Sequence, residues 1–234
     1  MRILSFIETS LIDWDGKLTS VIFLGGCNFK CPFCQNYQIA NDSKKLKAVA
    51  WETIEEKIRE KRAWLDGIVL TGGEPCMHPE IFGLCDRIKK LGFKIKIDTN
   101  GYYPYVLMQL KDKKLIDYIA MDIKTALDHR YERACGRKLE LGLINRSIQL
   151  LLTGELDYEF RTTLVPGIVG AEEIKSIVES IPKARLFALQ QFVPENCRTN
   201  TYRKKKTYNR YEVEKFIALA KPYVKEVRLR GKFS

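Results

Sequence analysis

Three cysteines, Cys27, Cys31 and Cys34, stand in the run Cys-Asn-Phe-Lys-Cys-Pro-Phe-Cys, directly after the apolar stretch Val21–Leu24 and the pair Gly25-Gly26. The chain must therefore bring a short buried strand to its end and present three thiols from one tight loop. No fourth cysteine follows until Cys76. Three thiolates this close can hold three irons of a [4Fe–4S] cube and leave the fourth iron open. A full cysteine quartet would close the cluster for electron transfer, whereas an open position can bind a substrate, as at a catalytic zinc. Spacing alone also admits zinc or another metal, or three buried free thiols.

The remaining composition narrows the setting. A chain of 234 residues, 45% hydrophobic and 29% charged, has the size and core of one enzyme-sized α/β domain. Seven cysteines is an odd number, and the opening Met1–Thr9 does not read as a secretion signal because Glu8 breaks its short apolar stretch. A disulfide framework is not expected, and a reducing cytoplasm is. No run approaches the roughly 20 apolar residues needed to span a bilayer, so no membrane partner is expected. The formal charge of +11 can favour nucleic acid, an acidic protein partner or a phosphorylated substrate. Its one dense run, Arg203-Lys204-Lys205-Lys206 between Tyr202 and Tyr208, reads first as a solvated loop before a helix and second as a docking face. Nucleic acid is the least favoured partner.

Strand patterns alternate with helix patterns along the chain. The strand candidates are Val21–Leu24, Ile68–Leu70, Lys94–Ile97, Tyr118–Met121, Tyr158–Leu164 and Arg185–Gln190, short apolar runs of the kind buried parallel strands show. Between them, Trp51, Ile54, Ile58 and Leu65, then Ile174, Ile177, Val178 and Ile181, then Val213, Phe216, Ile217 and Ala220 each repeat on one helical face. Six βα units predict an open, partial (β/α)6 barrel resembling a TIM barrel. With no linker or repeat visible, residues 1–234 are expected to form a single domain, with a cluster loop at 25–36.

In such a fold, chemistry gathers where strands end. The second strand runs into Thr71-Gly72-Gly73-Glu74-Pro75, where two glycines permit close backbone approach to a ligand and Glu74 offers an acceptor for an ammonium group. By itself this is also an ordinary turn with a solvated acid. Asp98-Thr99-Asn100-Gly101 follows the third strand and Ala120-Met121-Asp122-Ile123-Lys124 covers the fourth. Asn100-Gly101 is a turn signal, Asp98 can cap a helix, and Asp122 can pair with Lys124. Arg161 lies on the fifth strand, which leads into Val165-Pro166-Gly167.

Taken jointly, the C-x3-C-x2-C triplet and the Gly-Gly-Glu-Pro loop one βα unit later resemble the radical S-adenosylmethionine (SAM) enzymes. The resemblance implies a [4Fe–4S] cluster on Cys27, Cys31 and Cys34 and S-adenosylmethionine bound at Gly72, Gly73 and Glu74, with Phe33 near its adenine. It implies reductive cleavage of the sulfonium to methionine and a 5′-deoxyadenosyl radical. The cofactor performs that chemistry, so no catalytic side chain beyond the cluster and its SAM is expected.

The later loops resemble those of glycyl-radical-enzyme activating enzymes. That resemblance implies S-adenosylmethionine contacts from Asp98, Thr99, Asn100, Lys124 and Arg161, and a monovalent cation held by Asp98, Thr99, the Ala120 carbonyl and Asp122. The stretch from Glu8 through Trp14 to Lys17, and the similarity extending from about Phe6 to the final Val-Arg-Leu-Arg-Gly, are nearest to activating proteins of anaerobic ribonucleoside-triphosphate reductases. The substrate implied is a glycine in a partner glycyl radical enzyme, with a flavodoxin or ferredoxin delivering the electron. Leu189-Gln190-Gln191-Phe192 lacks the histidine of pyruvate formate-lyase activases. Cys76, Cys85, Cys135 and Cys197 read as structural, and neither His78 nor His129 is given a role. Two other classes stay open. One is a radical SAM enzyme acting on a small molecule, such as a 7-carboxy-7-deazaguanine synthase, although Gln35-Asn36 stands where those enzymes show Asp-Thr. The other is a nonenzymatic electron carrier or metal-binding module.

Overall fold

The computed structural model describes residues 1–233. In chain order the elements are β1 Ile3–Ser10, β2 Thr19–Leu24, the single-turn α1 Tyr37–Ala40, α2 Trp51–Glu60, β3 Gly67–Gly72, α3 Ile81–Lys90, β4 Lys94–Thr99, α4 Pro104–Asp112 and β5 Tyr118–Asp122. There follow α5 Arg130–Cys135, α6 Leu141–Leu152, β6 Asp157–Leu164, α7 Ala171–Ser180, β7 Phe187–Gln191, the short α8 Asn200–Arg203, α9 Arg210–Ala220 and β8 Val227–Arg230. The fold is α/β, with one open eight-stranded sheet in the order β1 to β8. Every strand expected from the sequence is present. The sheet is longer than expected by β1 and β8.

The chain divides into two compact units, one of Met1–Asn28, Asn36–Thr99 and Tyr105–Ile119, the other of Phe29–Gln35, Asn100–Pro104 and everything from Ala120 onward. In the first, β2, β3 and β4 pair in parallel, with Val21 opposite Val69 and Ile68 opposite Ile95. Their side chains from Val21, Ile22, Ile68, Val69, Leu70, Ile95 and Ile97 are fully buried, which is why β2 and β3 carry apolar runs, whereas β4 alternates Lys94-Ile95-Lys96-Ile97. β1 pairs antiparallel with β2 along the edge and leaves Ile7, Glu8 and Thr9 exposed. The hairpin between them tucks Trp14 beneath the sheet against Val21, Val69 and Tyr118, with the Trp14 and Tyr118 rings 5.5 Å apart. Gly67 makes room for it, since a Cβ there would lie 2.9 Å from the indole and 2.8 Å from the Lys94 carbonyl.

In the second unit β6, β7 and β8 pair in parallel, with Phe160, Phe187 and Val227 in register. Helix α9 begins with a reciprocal cap, the Asn209 side chain accepting from the Glu212 amide (3.0 Å) and the Glu212 carboxylate from the Asn209 amide (2.9 Å). One ionic contact ties the last strand to the sheet: the Arg230 guanidinium forks onto both oxygens of Glu159, at 2.8 and 2.5 Å, and the Glu159 side chain is only 1% exposed. Removing one partner of a buried pair strands the other charge. Arg230→Ala is therefore expected to cost about 3–5 kcal/mol of unfolding free energy, read as a lowered midpoint in urea denaturation. Glu159→Gln in the Arg230→Ala background should recover part of that loss.

Candidate functional site

The residues singled out from sequence fall at strand ends in both units. In the first, the tip of β3 is laced to the tip of β2 by backbone alone. The Gly73 amide donates to the Leu24 carbonyl (2.9 Å) and the Glu74 amide to the Gly26 carbonyl (2.8 Å). The approach is too close for side chains. A Cβ on Gly73 would overlap the Gly26 carbonyl oxygen, and one on Gly72, whose φ is +113°, would lie 2.6 Å from the Leu24 amide nitrogen. The two glycines thus serve to dock this loop against the entrance to the cysteine loop, and these two amides are spent on that docking.

Glu74 is fully buried. Its Oε1 accepts from the Cys76 amide (3.0 Å) and from the Thr99 hydroxyl (2.8 Å), so the carboxylate joins the β3 loop to the last residue of β4. Thr99 itself is buried, and Asp98 lies 3.6 Å from Lys96. His78, to which sequence assigned nothing, places Nε2 2.7 Å from the Gly25 carbonyl. A carbonyl can only accept, so Nε2 carries the proton. The backbone just ahead of Cys27 is fixed by the His78 ring on the Gly25 carbonyl, the Gly25 amide on the Arg2 carbonyl (2.9 Å), the Glu74 amide on the Gly26 carbonyl and the Gly26 amide on the Ile39 carbonyl (2.9 Å).

In the second unit the loop Phe29–Gln35 is gripped just as firmly. The Lys30 amide donates to the Cys135 carbonyl at the end of α5 (2.8 Å). There Gly136, at φ +70°, lets the chain turn where a Cβ would overlap the Lys30 carbonyl oxygen. Cys31 and Cys34 close a turn, amide to carbonyl, at 3.2 Å. Phe33 is buried, its ring centroid 6.0 Å from that of Tyr202. Asn100 behaves as its Asn-Gly sequence suggests, its Oδ1 accepting from the Tyr102 amide (3.0 Å) while Gly101 takes φ +75°.

Asp122, Lys124 and Arg161 form one charged group. Arg161 Nε donates to Asp122 Oδ1 (2.7 Å) and Lys124 Nζ to Oδ2 (3.0 Å). Burial raises the Asp122 pKa, but the two cations outweigh it and hold the carboxyl well below the usual range. Burial likewise opposes the charge on Lys124, and Asp122 restores it, leaving Lys124 above the ordinary lysine value. The backbone around them is locked, with the Ile123 amide on the Arg161 carbonyl (2.8 Å) and the Lys124 amide on the Tyr131 hydroxyl (3.2 Å).

The cysteines separate by environment, and all seven are free of disulfide bonds. Burial pushes the Cys76 thiol well up, Cys85 up to about 12 and Cys197 up to about 11, so these remain protonated, as the structural reading of them requires. Cys31 moves the other way. A hydrogen bond from the Cys135 thiol favours its thiolate, burial opposes it, and Lys124 and Arg198 add attraction. Cys135, read as structural from sequence, is the hydrogen-bonding neighbour of Cys31. Among the described residues no three His, Cys, Asp or Glu side chains already stand as a metal-holding group. The fit of the loop to an iron–sulfur cluster rests instead on its donor chemistry. Three unbridged thiols lie on a braced backbone, and one of them sits where its thiolate is favoured, the form that ligates iron.

With this geometry in hand, the comparisons with known proteins assign the class. Residues 21–181 match the Radical SAM superfamily, and the chain belongs to it. A Methanocaldococcus jannaschii protein described as a candidate glycyl-radical enzyme activating enzyme is 33% identical over 230 residues, covering 96% of this chain and 93% of that one, and places the chain in that family. A 7-carboxy-7-deazaguanine synthase of Haemophilus influenzae is 32% identical over 120 residues, 51% of this chain and 50% of its own. Among solved structures, Streptococcus suis SuiB bound to precursor peptide SuiA superposes with a TM-score of 0.69 at 18% identity, over 90% of this chain and 48% of that one, a likeness of fold. The protein is a radical SAM enzyme, and its family carries a [4Fe–4S] cluster and S-adenosylmethionine. No helix among the described residues is long and apolar enough to cross a membrane.

The docking of the Gly-Gly-Glu loop generates a direct test. Gly73→Ala forces the β3 tip away from Gly26, and loss of such supporting contacts costs about 10–100-fold in metal affinity. After anaerobic reconstitution the variant is expected to lose its iron on gel filtration, measured as iron and sulfide per chain, while wild-type protein retains it.

Proposed function

We propose that this chain is an activase that removes a hydrogen atom from the Cα of a glycine in a partner glycyl radical enzyme, with anaerobic ribonucleoside-triphosphate reductase as the nearest partner. The match over nearly the whole length of a relative described as a glycyl-radical enzyme activating enzyme carries the reading, and the braced cysteine loop supports it. Cys27, Cys31 and Cys34 would hold the cluster in a single domain spanning residues 1–234. When bound, the cluster and S-adenosylmethionine supply reductive cleavage of the sulfonium and abstraction of a hydrogen atom.

The protein's own share is binding, orientation and exclusion of water. Glu74, buried and held by Thr99, fixes the Gly72–Gly73 backbone beside which the methionine amine would sit. Arg161 and Lys124, both anchored on Asp122, present cations held in place for the methionine carboxylate or a ribose oxygen. Phe33 would supply an apolar wall for the adenine, and Asp98, Thr99 and Asn100 would contact S-adenosylmethionine from the end of β4. A monovalent cation at Asp98, Thr99, the Ala120 carbonyl and Asp122 would share Asp122 with two resident cations, so it would bind only weakly. No general base is required, since a hydrogen atom and not a proton is removed. Glycine suits the reaction because no side chain shields its Cα. The electron would come from a flavodoxin or ferredoxin in the cytoplasm, attracted by the net charge of +11.

The deazaguanine synthase match favours a second reading, a radical SAM enzyme acting on a small molecule. Its weaker support is its half-length coverage and Gln35-Asn36 after the third cysteine. One anaerobic experiment separates the two. The reconstituted, reduced protein is mixed with S-adenosylmethionine and the glycyl radical enzyme of the same organism, and electron paramagnetic resonance is recorded. A glycyl doublet on the partner, absent with Cys31→Ala, is expected. Release of 5′-deoxyadenosine with no glycyl signal would move the assignment to the small-molecule reading.

A further inference from the structure

The segment between β7 and α9 carries the basic run that sequence analysis left without a role. Lys204 and Lys206 are exposed, as a solvated loop requires, but the stretch just before them is committed to the cysteine loop. Three consecutive carbonyls of that loop accept hydrogen bonds from three consecutive residues of this strap. Arg198 Nε donates to the Cys31 carbonyl (3.2 Å). The Thr199 amide and hydroxyl donate to the Pro32 carbonyl (3.1 and 3.3 Å), and Cys197 Sγ donates to the Phe33 carbonyl (3.4 Å). The strap is itself braced. Arg203 Nε donates to the Cys197 carbonyl (2.6 Å), the Tyr202 amide to the Thr199 carbonyl (3.1 Å), and Lys205 lies over the Tyr202 ring, 5.5 Å from its centroid.

Arg198 is half-buried, so solvent screens its charge less than that of an exposed residue. The potential of an iron–sulfur cluster depends on nearby charge, hydrogen bonds and exposure, and groups that hold a ligand tune the metal it binds. Reduction adds one negative charge, so a fixed cation stabilises the reduced state more than the oxidised one. Resting on the radical SAM reading above, we propose that Arg198 is a positioning residue for the cluster: it fixes the Cys31 backbone and, through its charge, raises the cluster's midpoint potential.

Wild type, Arg198→Gln and Arg198→Lys would be reconstituted anaerobically with iron and sulfide, and the cluster titrated electrochemically under electron paramagnetic resonance. No S-adenosylmethionine or partner is added, so the readout is independent of activity. Arg198→Gln is expected to make reduction about tenfold less favourable at a given potential, a downward shift of about 59 mV for one electron. Arg198→Lys keeps the charge and should stay near wild type. If Gln alone loses its iron, a Lys variant with the wild-type midpoint upholds the proposal. Equal midpoints in all three proteins, or an equal fall in both variants, would overturn it. Loss of the cluster from both variants also overturns it, leaving Arg198 as a brace of the loop alone. Failure of wild type to take up a cluster would instead sink the cofactor reading, and this proposal with it.

Discussion

Everything in the site depends on backbone hydrogen bonds made by a loop that has almost no secondary structure of its own. The segment from Gly25 to Cys34 contains three thiols and no helix or strand, yet its polar backbone groups are drawn into the protein, where each needs a partner. Within the first unit Gly25 and Gly26 are held by the His78 ring, the Glu74 amide and the Ile39 carbonyl. Within the second, Lys30 to Phe33 are held by the Cys135 carbonyl and the Cys197–Thr199 strap. A loop held in this way meets a metal cluster with its ordering cost already met, which is the usual route to a tight and specific site.

Charge is arranged around that loop with the same economy. Arg161 and Lys124 are both anchored on the Asp122 carboxylate, so two long side chains keep fixed positions while these three residues retain a net positive charge. Lys124 in this group favours the thiolate form of Cys31. Burial instead pushes the thiols of Cys76 and Cys85 up. Burial alone would suppress ionisation everywhere. At Cys31 the Cys135 thiol and two cations outweigh burial and favour the thiolate.

Much of this was legible in the sequence because the informative residues are contiguous. Strands β2 to β7 announced themselves as short stretches rich in apolar residues, unbroken in Val21–Leu24 and Ile68–Leu70 and alternating in Lys94–Ile97. β1 did not, because it is an edge strand with Ile7, Glu8 and Thr9 exposed, and β8 did not, because Val-Arg-Leu-Arg is short and only half-buried along its length. The Cys27, Cys31, Cys34 triplet and the Gly-Gly-Glu loop are contiguous motifs, visible without the fold. Glu74 was read as a ligand acceptor, and its structural bond to Thr99 could not be foreseen. Cys135, Cys197, Arg198 and His78 carry no local pattern. Their meaning lies in contacts across long separations, as many as 167 residues between Arg198 and Cys31, which only the fold closes.

The central claim is that the three cysteines of this loop, and no others in the chain, hold a cluster that cleaves S-adenosylmethionine. The most direct measurement is the yield of methionine and 5′-deoxyadenosine from reduced, reconstituted protein and its single cysteine-to-alanine variants. The account predicts equal amounts of the two products from wild type, none from Cys27→Ala, Cys31→Ala or Cys34→Ala, and continued cleavage in Cys85→Ala. Full cleavage by any of the first three variants would contradict it.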